Sequence, residues 1–296
     1  MRNQRIVLDG PSNLGLRPPV KGAVPGCYKL AGALRDQGFV QRIGAADAGC
    51  VTPPRYDREG WKPGDGVFNA EAMASYTVRL ADRLTKLFDE ERFVVLLGGE
   101  CSNLLGPALA LKRRGRYGVV YLDGHSDFRT VDNSPHVGAA GGEALALITG
   151  RGQADLTDLE GLAPYTKDTD AALLGIREDD EYVGDVEAAG IPVWSARTIA
   201  QDPGAAASGV LQHVEREELD GFWVHLDVDI LDAAVMPAVD SPDPGGIDHA
   251  QLQALLRPLL ASPACAGIDI GIFDPDLDPD AIYAAELTDT LVASLS

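Results

Sequence analysis

Residues 121–130 read YLDGHSDFRT, with Asp123, His125 and Asp127 at i, i+2 and i+4 behind an apolar run. On an extended backbone this spacing turns all three side chains to one side. Two carboxylates and an imidazole on one side make a ligand row for a divalent cation. The plainer reading is a capped turn with a satisfied histidine. A second row, FWVHLDVDILD at 222–232, sets Asp227 and Asp229 two apart at the exit of another apolar run. Two such carboxylates repel unless a cation joins them. The plainer alternative has one aspartate capping a helix and the other solvated. Two rows at two strand exits are far more specific than either alone. A third segment, LLGGECSNLLG at 96–106, runs from a strand into Gly98–Gly99, then Glu100 and Cys101. Paired glycines let a backbone approach something closely. Cys101 at the strand exit could face the same cavity, although a cysteine taken alone is more often an ordinary half-buried thiol.

Such rows need strands that end together. Short apolar, β-branched runs predict eight strands, at 6–9, 39–43, 93–97, 117–123, 171–176, 191–194, 222–227 and 267–273. Their near-continuous hydrophobicity suggests burial on both faces, as in a parallel sheet. Helical patterns fill the gaps: 25–37 closed by Gly38, 69–91, 102–114 ending at Gly115, and 248–260. Asn69 is a candidate N-cap for the longest, with Met73, Val78, Leu80, Leu84 and Leu87 as its stripe, and Asp248 is a candidate cap for the last. The alternation argues for one three-layer α/β/α domain over 1–296 around an eight-stranded, mostly parallel sheet. Sheets of this kind place ligands outside the carboxyl ends of their strands. Residues 47–69 and 130–142 read as surface excursions near that end. Asp274, Asp276, Asp278 and Asp280 resemble a calcium loop only superficially, because the required glycine is missing, and read as a solvated acidic loop.

Composition narrows the partners. A net charge of −20 over 296 residues repels phosphate backbones and anionic lipid, so neither nucleic acid nor membrane is expected. It suits metal ions, amines and guanidines, and it also simply keeps a protein in solution. The four cysteines are far apart with no CxxC pair, which argues against a disulfide framework and for a reducing, cytoplasmic setting. The opening MRNQRIVLDGPSNLG lacks the apolar stretch of a secretory leader, and no apolar run approaches the ~20 residues that span a bilayer. No phosphate loop, GxGxxG or GxSxG pattern occurs.

The three segments, in this order, resemble the ureohydrolase superfamily of arginases, agmatinases and formiminoglutamases. Its motifs are GGDHS, DAHxDxxT and SxDxDxxDPxxxPxxxxPxPGG. The last reads HLDVDILDAAVMPAVDSPDPGG here, from His225 to Gly246, and LDGPSNLG resembles the family's first strand and loop. The resemblance spans nearly the whole chain. It implies an α/β/α sandwich around an eight-stranded parallel sheet, homo-oligomers, and a centre of two Mn2+ ions per chain. In that centre Asp123 and Asp227 would bridge the metals, Asp127 would ligate the first, and His125 and Asp229 the second. A metal-bridging hydroxide, oriented by Asp127, would attack the trigonal carbon of a linear amidine or guanidine.

The chain departs from the pattern in three places. Cys101 and Glu100 stand where GGDHS has histidine and aspartate. A thiolate is soft and manganese hard, so a metal site at Cys101 is expected to be weak, asymmetric or shifted to another metal. Hydrolases of N-hydroxy-arginine look similar at this position. The arginase HGMP-like segment, which carries a proton-shuttling histidine, is GAAGGEALAL here. Glu143 and the earlier His136 are the candidate general acids, against the plainer readings of a helix N-terminal charge and a loop histidine. The ExNP-like segment, whose carboxylate holds a guanidinium in arginases, becomes DIGIFDPDLDPD, with Ile272 at the aligned position. An isoleucine cannot pair with a cation, so ordinary arginase or agmatinase activity is not expected. The expected substrate is a small amidine, guanidino or hydroxyguanidino compound. The alternatives are a degenerate member with a ligand-binding or regulatory role, and a deacetylase-like amide hydrolase.

Overall fold

The computed structural model describes residues 4–58 and 60–296. Its strands are β1 (Arg5–Asp9), β2 (Ala46–Cys50), β3 (Phe93–Leu97), β4 (Tyr117–Leu122), β5 (Ala171–Ile176), β6 (Val193–Ser195), β7 (Gly221–Asp227) and β8 (Cys265–Gly271). They form one sheet in the order β2-β1-β3-β8-β7-β4-β5-β6. Every pairing is parallel. Every residue of β5 and β7 is buried, as the unbroken apolar runs require when helices cover both faces.

Right-handed crossovers sort the helices. The chain moves one way along the sheet from β2 through β3 and β4 to β6, and that puts helices Ala70–Asp89 and Leu105–Lys112 on one face. It reverses from β6 to β7 and β8, which puts Pro203–Val214 and His249–Ala261 on the other, where the last helix, Ile282–Leu295, joins them. The contacts agree: Ala70–Asp89 packs on Leu105–Lys112, and His249–Ala261 packs on both Pro203–Val214 and Ile282–Leu295. The reversal leaves β8 and β7 between β3 and β4, so the carboxyl ends of all four stand together at the switch point.

Seven of the eight expected strands are present, and the eighth is corrected. Residues 39–43 are not a strand; Phe39–Arg42 is a helical turn. Phe39, Val40 and Ile43 are spaced i, i+1, i+4 and bury on one side, a helical spacing. The true second strand, ADAGC at Ala46–Cys50, is an edge strand with half-buried and exposed positions, so it carries no apolar run to read. It also removes 47–50 from the expected surface excursion. Asn69 is not a side-chain N-cap: it has φ +58°, its Oδ1 accepts from the Asp57 N–H, and its amide donates to the Leu14 carbonyl. Asp248 does cap, in a reciprocal box with Gln251. The acidic loop is not merely solvated. Asp276 pairs with Lys29, and Asp278 is buried and accepts from the Ile282 and Ala284 N–H groups.

Candidate metal centre

β4 stops at Leu122, so Asp123 is the first residue past the strand and the backbone then turns. Asp127 sits at φ +45°, a region that side-chain-bearing residues rarely adopt. The extended row expected over 123–127 is therefore a folded turn, and the turn rather than a strand pleat brings its side chains together. Asp123 Oδ1 accepts from the His125 N–H at 2.6 Å, and Asp127 Oδ2 accepts from the Tyr121 O–H at 2.5 Å.

Asp227 ends β7, and Asp229 lies on the short turn Val228–Ile230 that follows. Asp227 Oδ1 takes the Asp229 N–H at 2.7 Å, which starts that turn. Asp229 reaches across to the first row: Oδ1 accepts from the Gly124 N–H at 3.0 Å, and Oδ2 lies 2.8 Å from His125 Nδ1. His125 Nε2 is 3.0 Å from Asp243 Oδ2. From the third segment, the Cys101 thiol donates to Asp227 Oδ2 at 3.0 Å.

The glycine pair ahead of Cys101 approaches protein rather than a ligand. A Cβ on Gly99 would lie 1.6 Å from the Ser12 carbonyl oxygen, and one on Gly98 would lie 2.9 Å from that of Ile270. Glu100 is buried and holds this junction, accepting from the Ser102 N–H at 2.8 Å and from both the Ser102 and Ser12 hydroxyls.

Two triads of possible ligand atoms emerge, each with all atoms within 4.8 Å of one another. One is Asp123, His125 and Asp229; the other is Cys101, Asp123 and His225. Asp123 belongs to both. Asp227 touches the second through Cys101. Asp127 lines the same cavity with its carboxylate turned to Tyr121. His136 is exposed on that cavity's wall. Glu143 is buried behind it and accepts from the Gly138 N–H at 2.7 Å, so it pins the loop and does not line the cavity.

The electrostatics favour a bound cation. Burial, reinforced by neighbouring aspartates, lifts the Asp123 and Asp227 carboxyls well above the usual carboxylate range. Burial also raises Asp127, and it raises the Cys101 thiol together with the charges of Asp227, Asp127 and Asp123. Asp229 alone is lowered: burial pushes it up, but the bond and charge of His125 outweigh that. For His125, burial pulls down and Asp229 pulls up more, to about 10. Asp123 Oδ2 and His225 Nε2 are buried without a hydrogen-bond partner. Crowded carboxylates plus orphaned buried donor atoms fit a divalent cation pair, because a positive charge relieves both the repulsion and the unmade bonds.

His225 escaped the sequence reading, although the spacing that selected Asp227 also selects it. It stands two residues earlier on β7 and so shares its face. Arg177 was missed as well. It is buried and donates to the Asp229, Leu231 and Asp243 carbonyls, clamping the turn that carries Asp229. A charged residue at the end of the apolar run AALLGI was its signal.

The cavity above the centre measures about 760 Å³. Arg17, Arg129, Arg177, Tyr182 and Ile272 are among its walls. Arg129 stands over the Tyr182 ring, 5.9 Å from its centroid, with no side-chain hydrogen bond or ion pair to any described residue.

Fold and site together define a parallel α/β protein with a carboxylate-rich centre at its strand ends. The Arginase family pattern matches residues 27–295, and the chain belongs to that family. Its relatives are hydrolases acting on carbon–nitrogen bonds of linear amidines. It is 28% identical to an arginase of Bacillus subtilis (strain 168) over 229 residues, covering 75% of each chain. It is 29% identical to a formimidoylglutamase of Aeromonas hydrophila over 296 residues, covering 93% of this chain and 89% of the other. Among solved structures, arginase from Bacillus caldovelox superposes with TM-score 0.88 at 22% identity, covering 99% of this chain and 98% of that one. Proclavaminate amidino hydrolase from Streptomyces clavuligerus gives 0.72 at 19%, covering 99% and 90%.

Proposed function

We propose that the protein hydrolyses a carbon–nitrogen bond of a small, carboxylate-bearing linear amidine, using a pair of divalent metals with Mn2+ as first candidate. The carrying observation is the pair of ligand triads that share Asp123, of which Cys101, His125 and Asp229 line the cavity. Asp123 and Asp227 would hold both metals, Cys101 and Asp127 the first, and His125 and Asp229 the second. When bound, the pair supplies Lewis acidity and lowers the pKa of water at the site.

The chain's own groups account for the rest. Tyr121 holds the Asp127 carboxylate, which orients the nucleophile. His136, on the wall, would protonate the departing amine. Glu143 supports the loop that presents it, through Gly138. Ile272 offers the substrate's far end no carboxylate, whereas Arg129 offers a guanidinium that no described residue pairs. That supports an anionic tail on the Arg129 side of the cavity, while Asp179, Asp180, Glu181, Asp240 and Asp243 line its other walls. The name formimidoylglutamase joins an amidine to an acidic amino acid, which supports the same class. All four cysteines are unpaired, in keeping with a reducing compartment. No described helix is long and apolar enough to cross a membrane.

The test is elemental analysis of the chain after manganese reconstitution, followed by turnover of N-formimidoyl, guanidino and hydroxyguanidino acids and their uncharged analogues. About two ions per chain and a preference for the carboxylate-bearing amidines are expected. A chain that takes up no metal, or turns over only cationic or neutral amidines, would sink the reading.

A further inference from the structure

We propose that His225 is a ligand of the first metal through Nε2, so that the imidazole absent at position 101 is supplied from β7. This rests on the paired-metal reading above and extends it to a residue at which the family motif SxDxDxxDP has a serine.

His225 is fully buried, two residues before Asp227 on the same face of β7. Its ring is held by Asp269 and Tyr121. Asp269, its register partner on β8, lies with Oδ2 2.6 Å from His225 Nδ1. Trp223 Nε1 donates to the other oxygen of that carboxylate at 2.5 Å. The Tyr121 ring, on the register partner in β4, lies 4.4 Å away between centroids. An Asp269 carboxylate on Nδ1 commits the ring proton there and leaves the Nε2 lone pair free, the arrangement in which a histidine binds a metal. That Nε2 has no hydrogen-bond partner, and neither does Asp123 Oδ2. A His225 ring nitrogen shares a 4.8 Å neighbourhood with the Cys101 sulfur and an Asp123 carboxylate oxygen, and Nε2 is the ring nitrogen that no hydrogen bond occupies. If His225 were only a packing residue, a buried nitrogen aimed among ligand atoms would stay unsatisfied, a cost that native interiors avoid. A thiol and an imidazole on one side, against carboxylates and His125 on the other, make the centre asymmetric. The His225 side suits zinc, cobalt or iron better than manganese.

The test uses the full chain, stripped with chelator and titrated with Co2+, followed by metal stoichiometry and near-ultraviolet absorption. Wild type is expected to bind two ions per chain and to show a sulfur-to-cobalt charge-transfer band that Cys101→Ser removes. His225→Asn is expected to weaken one of the two ions at least 100-fold and diminish that band, with the other ion retained. Asp269→Asn, which keeps the ring but frees its tautomer, is expected to weaken the same ion by about 10–100-fold. Far-ultraviolet circular dichroism of the metal-free variants checks their folding, and Asp269→Asn decides the matter if His225→Asn does not fold. Wild-type affinity and an unchanged band in a folded His225→Asn chain overturn the proposal while leaving the metal centre standing. A wild-type chain that binds no metal overturns the centre itself.

Discussion

Arg129 makes no ion pair with any described residue, although its charge acts on Asp127 and Glu143, and its planar guanidinium can take a carboxylate through two parallel hydrogen bonds. Arg129→Met keeps the stem and removes the charge. Because the tail is bound alike in ground and transition states, KM for a carboxylate-bearing amidine should rise about 10–100-fold with kcat little changed. Steady-state kinetics check this, and an unchanged KM would place the tail elsewhere. Glu143 makes a different kind of statement. Burial pushes its carboxyl from 4.5 up to about 7, against the downward pull of the Gly138 N–H and the charges of Arg129 and Arg17. Between those values the folded chain holds a proton that the unfolded chain has released. Its contribution to stability is thus complete below pH 4.5 and is lost as pH rises through about 7, by at most about 3 kcal/mol. Glu143→Gln should flatten the fall of Tm across that window. A fall as steep as that of wild type would mean another group is responsible.

At the scale of elements, the helix His249–Ala261 carries a complete start signal: Asp248 accepts from the Gln251 N–H at 2.8 Å, and the Gln251 side chain accepts from the Asp248 N–H at 2.9 Å. Asp248→Ala should cost about 1 kcal/mol and lower Tm by about 2 °C, with metal content unchanged, because the capping bonds run between Asp248 and Gln251 and involve no metal-centre residue. Calorimetry beside elemental analysis separates the two effects. This cap was legible because it is local, with donor and acceptor three residues apart. Asn69 looked equivalent, but its side chain is committed to Leu14 and Asp57, contacts that no local pattern encodes. β2 was illegible for the opposite reason, since an exposed edge strand has no apolar face to display.

At the scale of the molecule, several carboxylates that repel one another are gathered at one buried spot within a chain of net charge −20. A cation that binds the folded chain and not the unfolded one stabilises it by mass action, by about 2.7 kcal/mol per site at a hundredfold excess over Kd. Chelation should therefore lower Tm by several degrees, and manganese or cobalt should restore it. Differential scanning calorimetry across a metal titration reads this directly. A Tm indifferent to both metals would show that the carboxylates tolerate one another without help.

The three motif segments already held the carboxylates, the imidazole of His125 and the thiol of Cys101, because ligand chemistry is a matter of residue type and local spacing. Eight strands were counted and seven were placed correctly for the same reason: buried parallel strands must be apolar throughout. What the tertiary structure alone decided is which segments meet. β3 and β4 come to flank one site only because β7 and β8, from the far end of the chain, fill the places between them. The same arrangement seats Asp269 beside His225 and Asp229 beside Gly124. These are contacts between residues dozens to more than a hundred positions apart, and periodicity along a chain carries no information about partners across a sheet.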